Sequence, residues 1–346
     1  MSLFPYLERV AERKDLTAAE AQAAMEVILE GEAGQAEMAA LLMALRMKGE
    51  TAAELVGFAR AMRKMAARVD HGVHGEPVLD TCGTGGDHAG TFNISTISAF
   101  VVAGAGVHVA KHGNRSISSA CGSADLLESM GIEVAMEPAD SARAIREVGI
   151  GFLFAPAVHS AMRHAQPVRR ELRLRTAFNF LGPLTNPANA DTQVAGAPSE
   201  HAAELIAGAL AELGLRRGFV VHGSDGLDEI TTTGPTLIFS IEGGRVERQT
   251  VEPADFGVPV ARARDLKGGD KAANCAIARA VLAGEHGPKR DIVLVNAAAA
   301  LVATGKAAGW REGVEIAAQS IASGAALGKV DALARFTRGL QEGHGR

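Results

Sequence analysis

The segment Asp80-Thr81-Cys82-Gly83-Thr84-Gly85-Gly86-Asp87 constrains this chain more than any other. A short apolar run, Pro77-Val78-Leu79, precedes it, and Asn93-Ile94-Ser95-Thr96 opens an apolar, helix-like run to Gly104. Strand, glycine loop and helix start, in that order, make a cradle for phosphate. Glycines let the backbone approach an anion and aim successive N–H groups at it, and a helix N-terminus adds free donors and partial positive charge. A second polar cluster, Lys111-His112-Gly113-Asn114-Arg115-Ser116, follows the short strand Val107-His108-Val109-Ala110. Two anion-handling loops at adjacent strand ends suit a substrate with more than one phosphate. The glycine loop matches no familiar nucleotide signature. After Gly83 and Gly85 a dinucleotide fold needs a third glycine where His88 stands, and the Gly-Lys-Ser/Thr of a P-loop is missing. Taken alone, the loop also fits a glycine turn capped by Asp87.

The pattern around this loop divides the chain. Residues 2 to about 70 read as helices, with capping boxes at Thr17–Glu20 and Thr51–Glu54 and helical apolar spacing at Met38, Leu41, Leu42, Leu45 and Met47. A Gly/His linker, Asp70 to Gly75, leads into alternating strands and helices. Strands are expected at Val78-Leu79, Val107–Ala110, Phe152–Phe154, Gly218–Val221, Leu237–Ile241 and Ile292–Val295. Helices are expected at Ser123–Met130 and Ser141–Val148. Alternation of this kind predicts an α/β domain with a mostly parallel sheet. Glu242-Gly243-Gly244-Arg245 predicts a hairpin, hence an antiparallel piece near the C-terminal third.

With 346 residues there is length for two domains and a large core. A net charge of −5 excludes a general nucleic-acid surface, and one Trp and one Tyr leave little for base stacking. Cys82, Cys121 and Cys275 are odd in number and widely spaced, which fits a reducing compartment; Cys82 reads as a packing residue. The chain shows no secretion signal and no apolar run of membrane-spanning length, so a cytoplasmic location is expected.

Three further clusters carry chemistry. Asp228 and Glu229 follow the strand-like Val220-Val221. Taken alone they fit a solvated turn or a helix-start pair of acids better; beside a polyphosphate loop they suit magnesium, which takes few protein oxygens and draws the rest from phosphate and water. His159 to Arg175 holds Arg163, Arg169, Arg170, Arg173 and Arg175, mostly a solvated helix face with one or two turned to a site. Asn179 to Pro187 forms a loop stiffened by Gly182, Pro183 and Pro187 that either lines a pocket or connects elements.

In register and order, these segments resemble the anthranilate phosphoribosyltransferase family. The matching residues are Gly83 to Asp87, Asn93 to Thr96, Lys111 to Arg115, Gly122 to Asp125, Val168-Arg169-Arg170, Asn179 to Pro187 and Asp228-Glu229. The resemblance spans essentially the whole chain. It implies an α/β fold with a small all-α N-terminal domain, a nucleoside-phosphorylase-like phosphoribosyltransferase architecture with a mostly parallel sheet flanked by helices. It further implies a helical domain at 1–70, joined by helices from about 160–185, and a site for 5-phosphoribosyl 1-pyrophosphate (PRPP) in 71–346.

The implied reaction transfers the phosphoribosyl group of PRPP to the amine of anthranilate, a step of tryptophan biosynthesis. Implied PRPP ligands are Gly83, Gly85, Gly86, Asp87, Thr91, Asn93, Ser95, Thr96, Lys111 and Ser123. The implied anthranilate side is Gly83, His112, Asn114, His159, Arg169, Gly182 and Pro183. Ser95, Asp228 and Glu229 are the implied metal set for Mg2+, two per subunit, and no residue is assigned as acid or base. The implied assembly is a homodimer, without nucleic-acid or membrane partners. Two departures stand near the acceptor region: Val158-His159-Ser160 replaces the usual Tyr-His-Pro, and Arg173 replaces the usual Gly. A pyrimidine nucleoside phosphorylase and a non-catalytic nucleic-acid-binding relative of the same fold are the alternatives; the Lys-His-Gly-Asn loop and the Asp-Glu pair favour the transferase.

Overall fold

The computed structural model describes residues 2–87, 89–116 and 120–344. His88, which breaks the dinucleotide spacing, lies outside the described residues. The chain opens with four helices, α1 (Phe4–Ala11), α2 (Ala18–Leu29), α3 (Gln35–Lys48) and α4 (Ala52–Met65). Both expected capping boxes form, since Thr17 and Thr51 accept from the backbone of Glu20 and Glu54, whose carboxylates reach back to the cap N–H. Met38, Leu41, Leu42 and Leu45 are buried, whereas Met47 is exposed. Just before the linker, Val69 is buried and its N–H donates to Pro187 O, while Asp70, Gly72, His74 and Gly75 are exposed.

The sheet begins with β1 (Val78–Gly83), α5 (Ile94–Gly104) and β2 (His108–Gly113). Next come α6 (Ser123–Ser129), α7 (Pro138–Glu147), β3 (Ile150–Phe154), the short α8 (Ala155–Val158) and α9 (Gln166–Leu172). Then follow β4 (Thr192–Gly196), α10 (Glu200–Glu212), β5 (Arg217–Gly223), β6 (Thr236–Glu242) and β7 (Arg245–Val251). Four helices close the chain: α11 (Lys271–Leu282), α12 (Pro288–Ala303), α13 (Trp310–Ala322) and α14 (Ala325–His344).

The strand order is β3-β2-β1-β4-β5-β6-β7. β3, β2, β1, β4 and β5 run parallel, and β6 and β7 add the antiparallel hairpin. The chain winds outward from β1 through β2 to β3, then returns to the other side of β1 with β4. The crevice beyond the carboxyl ends of β1 and β4 is therefore the topological switch point, where open α/β sheets bind ligands.

Alternate strand residues feed opposite cores. Val194, Phe219 and Val221 pack with α5 and α12, while Ala195 and Val220 pack with α10 and the N-terminal helices.

One expected strand is wrong. Ile292–Val295 lies inside α12, in which every residue from Ile292 to Ala303 is buried. A helix apolar on all sides has no 3.6-residue signal to read, and β-branched residues then mimic a strand. The sequence reading also passed over β4, a five-residue strand with two polar members.

Candidate active site

β1 and β4 end side by side, with Gly83 in register with Gly196. The segment after β5 closes over both. A Cβ on Gly83 would stand 2.3 Å from Asp228 Oδ2, and one on Gly196 would stand 1.6 Å from Asp228 O. Only glycine at both strand ends lets the acid pair sit on the switch point. Asp228 and Glu229 lie past the end of β5 in the loop before β6, and two bonds fix them to the phosphate-type elements. Gly85 N donates to Asp228 Oδ2 at 2.8 Å, and Ser95 N, in the first turn of α5, donates to Glu229 Oε1 at 3.0 Å. The loop N–H groups expected to face an anion are in part already used, since Thr84 N donates to Gly196 O.

Burial dominates the electrostatics. It pushes Asp228 up to about 6, with Asp87 adding like charge, and Glu229 up to about 8, with Asp228 adding to it. Lys111 and His112, expected in the loop after the strand, lie within β2; Lys111 is buried among these acids and Asp80, and its Nζ donates to Thr81 O. Asp80 accepts from His112 N at 3.0 Å and Asn186 Nδ2 at 2.8 Å, which ties the 182–188 loop to the ends of β1 and β2.

His112 Nδ1 lies 3.2 Å from Gly182 O, which requires Nδ1 to carry the proton. His159 packs against it edge-on, centroids 5.1 Å apart, and bonds to the Thr185 backbone. Burial lowers His112 to about 4 and His159 to about 3, so both rings are neutral at pH 7. Each presents a buried Nε2 with no partner among the described residues. Pro183 is buried, and its carbonyl accepts from Gln193.

Arg169 is half-buried and stacks its guanidinium 5.1 Å from the Phe178 ring centroid. Arg163, Arg170 and Arg173 are exposed. Arg173 takes the left-handed backbone region at φ 51°, which explains why glycine suits this position. The Val158 side chain is buried in the small core of Val69, Val78 and Leu153, and Ser160 is exposed.

The other expected residues lie on neighbouring segments. Asn93 precedes α5 without a side-chain capping bond, its Nδ2 donating to Cys121 O at 3.0 Å; Thr96 is buried in the first turn, and Thr91 bridges to Lys267. Ser123 begins α6 and donates to Asn114 O at 3.1 Å, while the Asn114 side chain, exposed, accepts from Arg115 N.

Three residues were not singled out by the sequence reading. Asn274 of α11 donates to Asn93 Oδ1 at 3.1 Å and holds that amide in place. Asn296 of α12 bonds Ile230 N and O, both at 2.9 Å, and anchors the acid loop from behind. Arg175 donates to Gly85 O at 2.9 Å. Among the described residues, no group of three or more His, Cys, Asp or Glu forms a metal cage. Cys82 is buried and its thiol is pushed well up by burial, as a packing residue requires.

A helical bundle beside a doubly wound sheet, with a glycine loop and buried acids at the switch point, defines a glycosyl transferase architecture. Family models agree: the helical bundle domain of a glycosyl transferase family matches residues 4–66, and its a/b domain matches 75–327. The chain is 68% identical to anthranilate phosphoribosyltransferase of Solibacter usitatus over 97% of this chain and 99% of that one. It is 52% identical to the Symbiobacterium thermophilum enzyme of that name, over 97% of this chain and 98% of the other. Among solved structures, anthranilate phosphoribosyltransferase of Thermus thermophilus superimposes with TM-score 0.90 at 42% identity, covering 96% of this chain and 99% of that one. The Saccharomyces cerevisiae enzyme, solved in complex with PRPP and Mg, gives TM-score 0.90 at 27% identity, covering 97% and 98%. The chain belongs to the anthranilate phosphoribosyltransferase family.

Proposed function

We propose that the crevice at the ends of β1 and β4 binds PRPP and Mg2+ and transfers the phosphoribosyl group to the amine of anthranilate, releasing pyrophosphate in tryptophan biosynthesis. The observation that carries this reading is the seating of two buried carboxylates, Asp228 and Glu229, against the glycine loop at the switch point. The donor set fits magnesium: hard oxygens, two carboxylates and the Ser95 hydroxyl, too few to bind without phosphate and water. When bound, magnesium supplies positive charge to the pyrophosphate. We assign two ions per subunit to this set, as the resemblance implies.

The chain's own groups then position the reaction. Gly83, Gly85, Gly86, Asp87, Thr91, Asn93, Ser95, Thr96, Lys111 and Ser123 hold PRPP. In the transfer, the C1–oxygen bond breaks with its electron pair going to pyrophosphate. The anthranilate nitrogen bonds to C1 and loses one proton. Charge separates as the bond breaks, so donors aimed at the leaving group contribute most. The amine is neutral and needs no strong base.

Arg169 takes the anthranilate carboxylate, with Gly83, His112, Asn114, His159, Gly182 and Pro183 lining the acceptor side. The neutral imidazoles suit an aromatic ring, and the half-buried guanidinium forms no ion pair among the described residues. Residues 1–70, joined by about 160–185, act as one body that closes on 71–346. Pairing through the N-terminal helices and a cytoplasmic location complete the proposal.

Loss of anthranilate fluorescence with PRPP and Mg2+ tests the activity, beside a control of pyrimidine nucleoside plus phosphate. Turnover of the nucleoside alone would replace this reading with a phosphorylase. Arg169→Ala should raise the anthranilate KM or lower turnover about ten- to a hundredfold, the worth of a charge-assisted contact, and leave PRPP binding nearly intact. An unchanged anthranilate KM and turnover in that variant would remove Arg169 from the site.

A further inference from the structure

Arg175 lies between α9 and the 177–179 turn, and the pattern pooled it with four other arginines. It alone among them reaches the glycine loop. Its Nη1 donates to Gly85 O at 2.9 Å, and a Cβ added to Gly86 would stand 1.8 Å from that nitrogen. Any side chain at 86 would displace the guanidinium, so loop and arginine fit only with glycine there. Gly85 and Gly86 both have left-handed φ, 65° and 79°, a turn that gathers backbone N–H groups.

The second nitrogen, Nη2, is buried and has no hydrogen-bond partner among the described residues. A buried N–H on a cation is costly to leave unpaired, which marks a position completed by a ligand. Lys111, the other cation close to the acids, already donates to Thr81 O. On the opposite side, Arg46 of α3 donates to Arg175 O, so the helical bundle holds the segment that delivers the guanidinium.

We propose that Arg175 is a direct ligand of the pyrophosphate of PRPP, gripping it at the Gly85–Gly86 turn through Nη2. This inference rests on the PRPP reading above. A planar guanidinium with one N–H on the loop carbonyl and another free presents a fixed fork to a phosphate oxygen. Its hold strengthens as the C1–oxygen bond breaks and the electron pair moves to the pyrophosphate. The same contact couples filling of the pyrophosphate site to the bundle through Arg46.

Pyrophosphate inhibition against PRPP is the test, measured for the full-length wild type, Arg175→Ala, Arg175→Lys and, as an exposed neighbour, Arg170→Ala. Arg175→Ala should raise the pyrophosphate Ki and the PRPP KM together, about ten- to a hundredfold, with the anthranilate KM changed by less than about twofold. Arg175→Lys should recover part of the loss, because it keeps charge without the fork, and Arg170→Ala should match the wild type. If Arg175→Ala does not fold, Arg175→Gln and Arg175→Lys carry the comparison. A folded Arg175 variant with unchanged pyrophosphate Ki and PRPP KM overturns the proposal, even where kcat falls, because a hinge role alone would do that. A wild type inactive with PRPP and anthranilate counts against the functional reading instead. Calorimetric binding of pyrophosphate then decides on Arg175: weaker binding by Arg175→Ala supports the contact, and equal binding overturns it.

Discussion

Binding of magnesium and PRPP should expel about one proton from the protein at pH 7. Without a metal, burial holds Glu229 at about 8 and Asp228 at about 6. At pH 7 Glu229 is then mostly protonated and Asp228 mostly ionised. Ligation needs both carboxylates ionised, so together they release about one proton. The number falls as pH rises through the raised Glu229 value of about 8. Titration calorimetry in two buffers of equal pH and different ionisation enthalpy reads the count from the slope of apparent enthalpy. A blank of Mg2+ with PRPP alone removes the ligand's own proton. A release near zero at pH 7, flat to pH 9, would refute the desolvated, uncompensated acid pair.

The sign carries over to stability. Both folded pKa values lie above their unfolded values, so this contribution is fully present below about pH 4 and is lost as pH rises through 6 and 8. The stabilising effect of Mg2+ with PRPP on the melting temperature should therefore be larger at pH 8 than at pH 6. Arg173→Gly should stabilise by about 0.5–1 kcal/mol, because a left-handed backbone costs an arginine about 1–2 kcal/mol and the looser unfolded glycine returns part of it; a lower melting temperature in the variant would show that the Arg173 side chain contributes more than its strain. Light scattering across a dilution series should give twice the chain mass at micromolar concentration, since Phe4 and Met47 stand exposed on the first and third helices. A monomer mass would refute the pairing.

The parts of the fold legible in the sequence are those whose causes are local. Glycines, a strand and a helix start sit together in residues 77–104, and capping boxes announce α2 and α4 within four residues. The hairpin at Gly243-Gly244 is equally local. The acid pair was legible as a pair, but not its seating, because that depends on Gly196 and on the return of β4 beside β1. α12 was misread because burial on all sides erases the period that distinguishes helix from strand. Arg175 is not distinguishable from its neighbouring arginines, and Asn274 and Asn296 carry no local signal, for a related reason. Their partners lie 90, 181 and 66 residues away in the chain, and nothing near them in sequence signals the contact.

The same long-range contacts explain why the acids are stable enough to exist. Asp80, Asp228 and Glu229 are buried with Lys111 as the cation among them, and all three carboxyls are pushed upward. Such a cluster is unfavourable by itself and would relax toward solvent if its frame allowed. The frame does not allow it. Backbone N–H groups from Gly85 and Ser95 hold the two outer acids, Asn186 and the His112 N–H hold Asp80, and Asn296 pins Ile230 beside Glu229. These neutral donors fix the oxygens without cancelling their charge, as added lysines would. The site therefore keeps Glu229 largely protonated, and an entering cation supplies the positive charge that lets both acids ionise. On this argument, replacing a fixing amide with a cation should stabilise the protein and weaken metal-dependent binding together. Preorganised acids and binding strength are then two consequences of one buried imbalance.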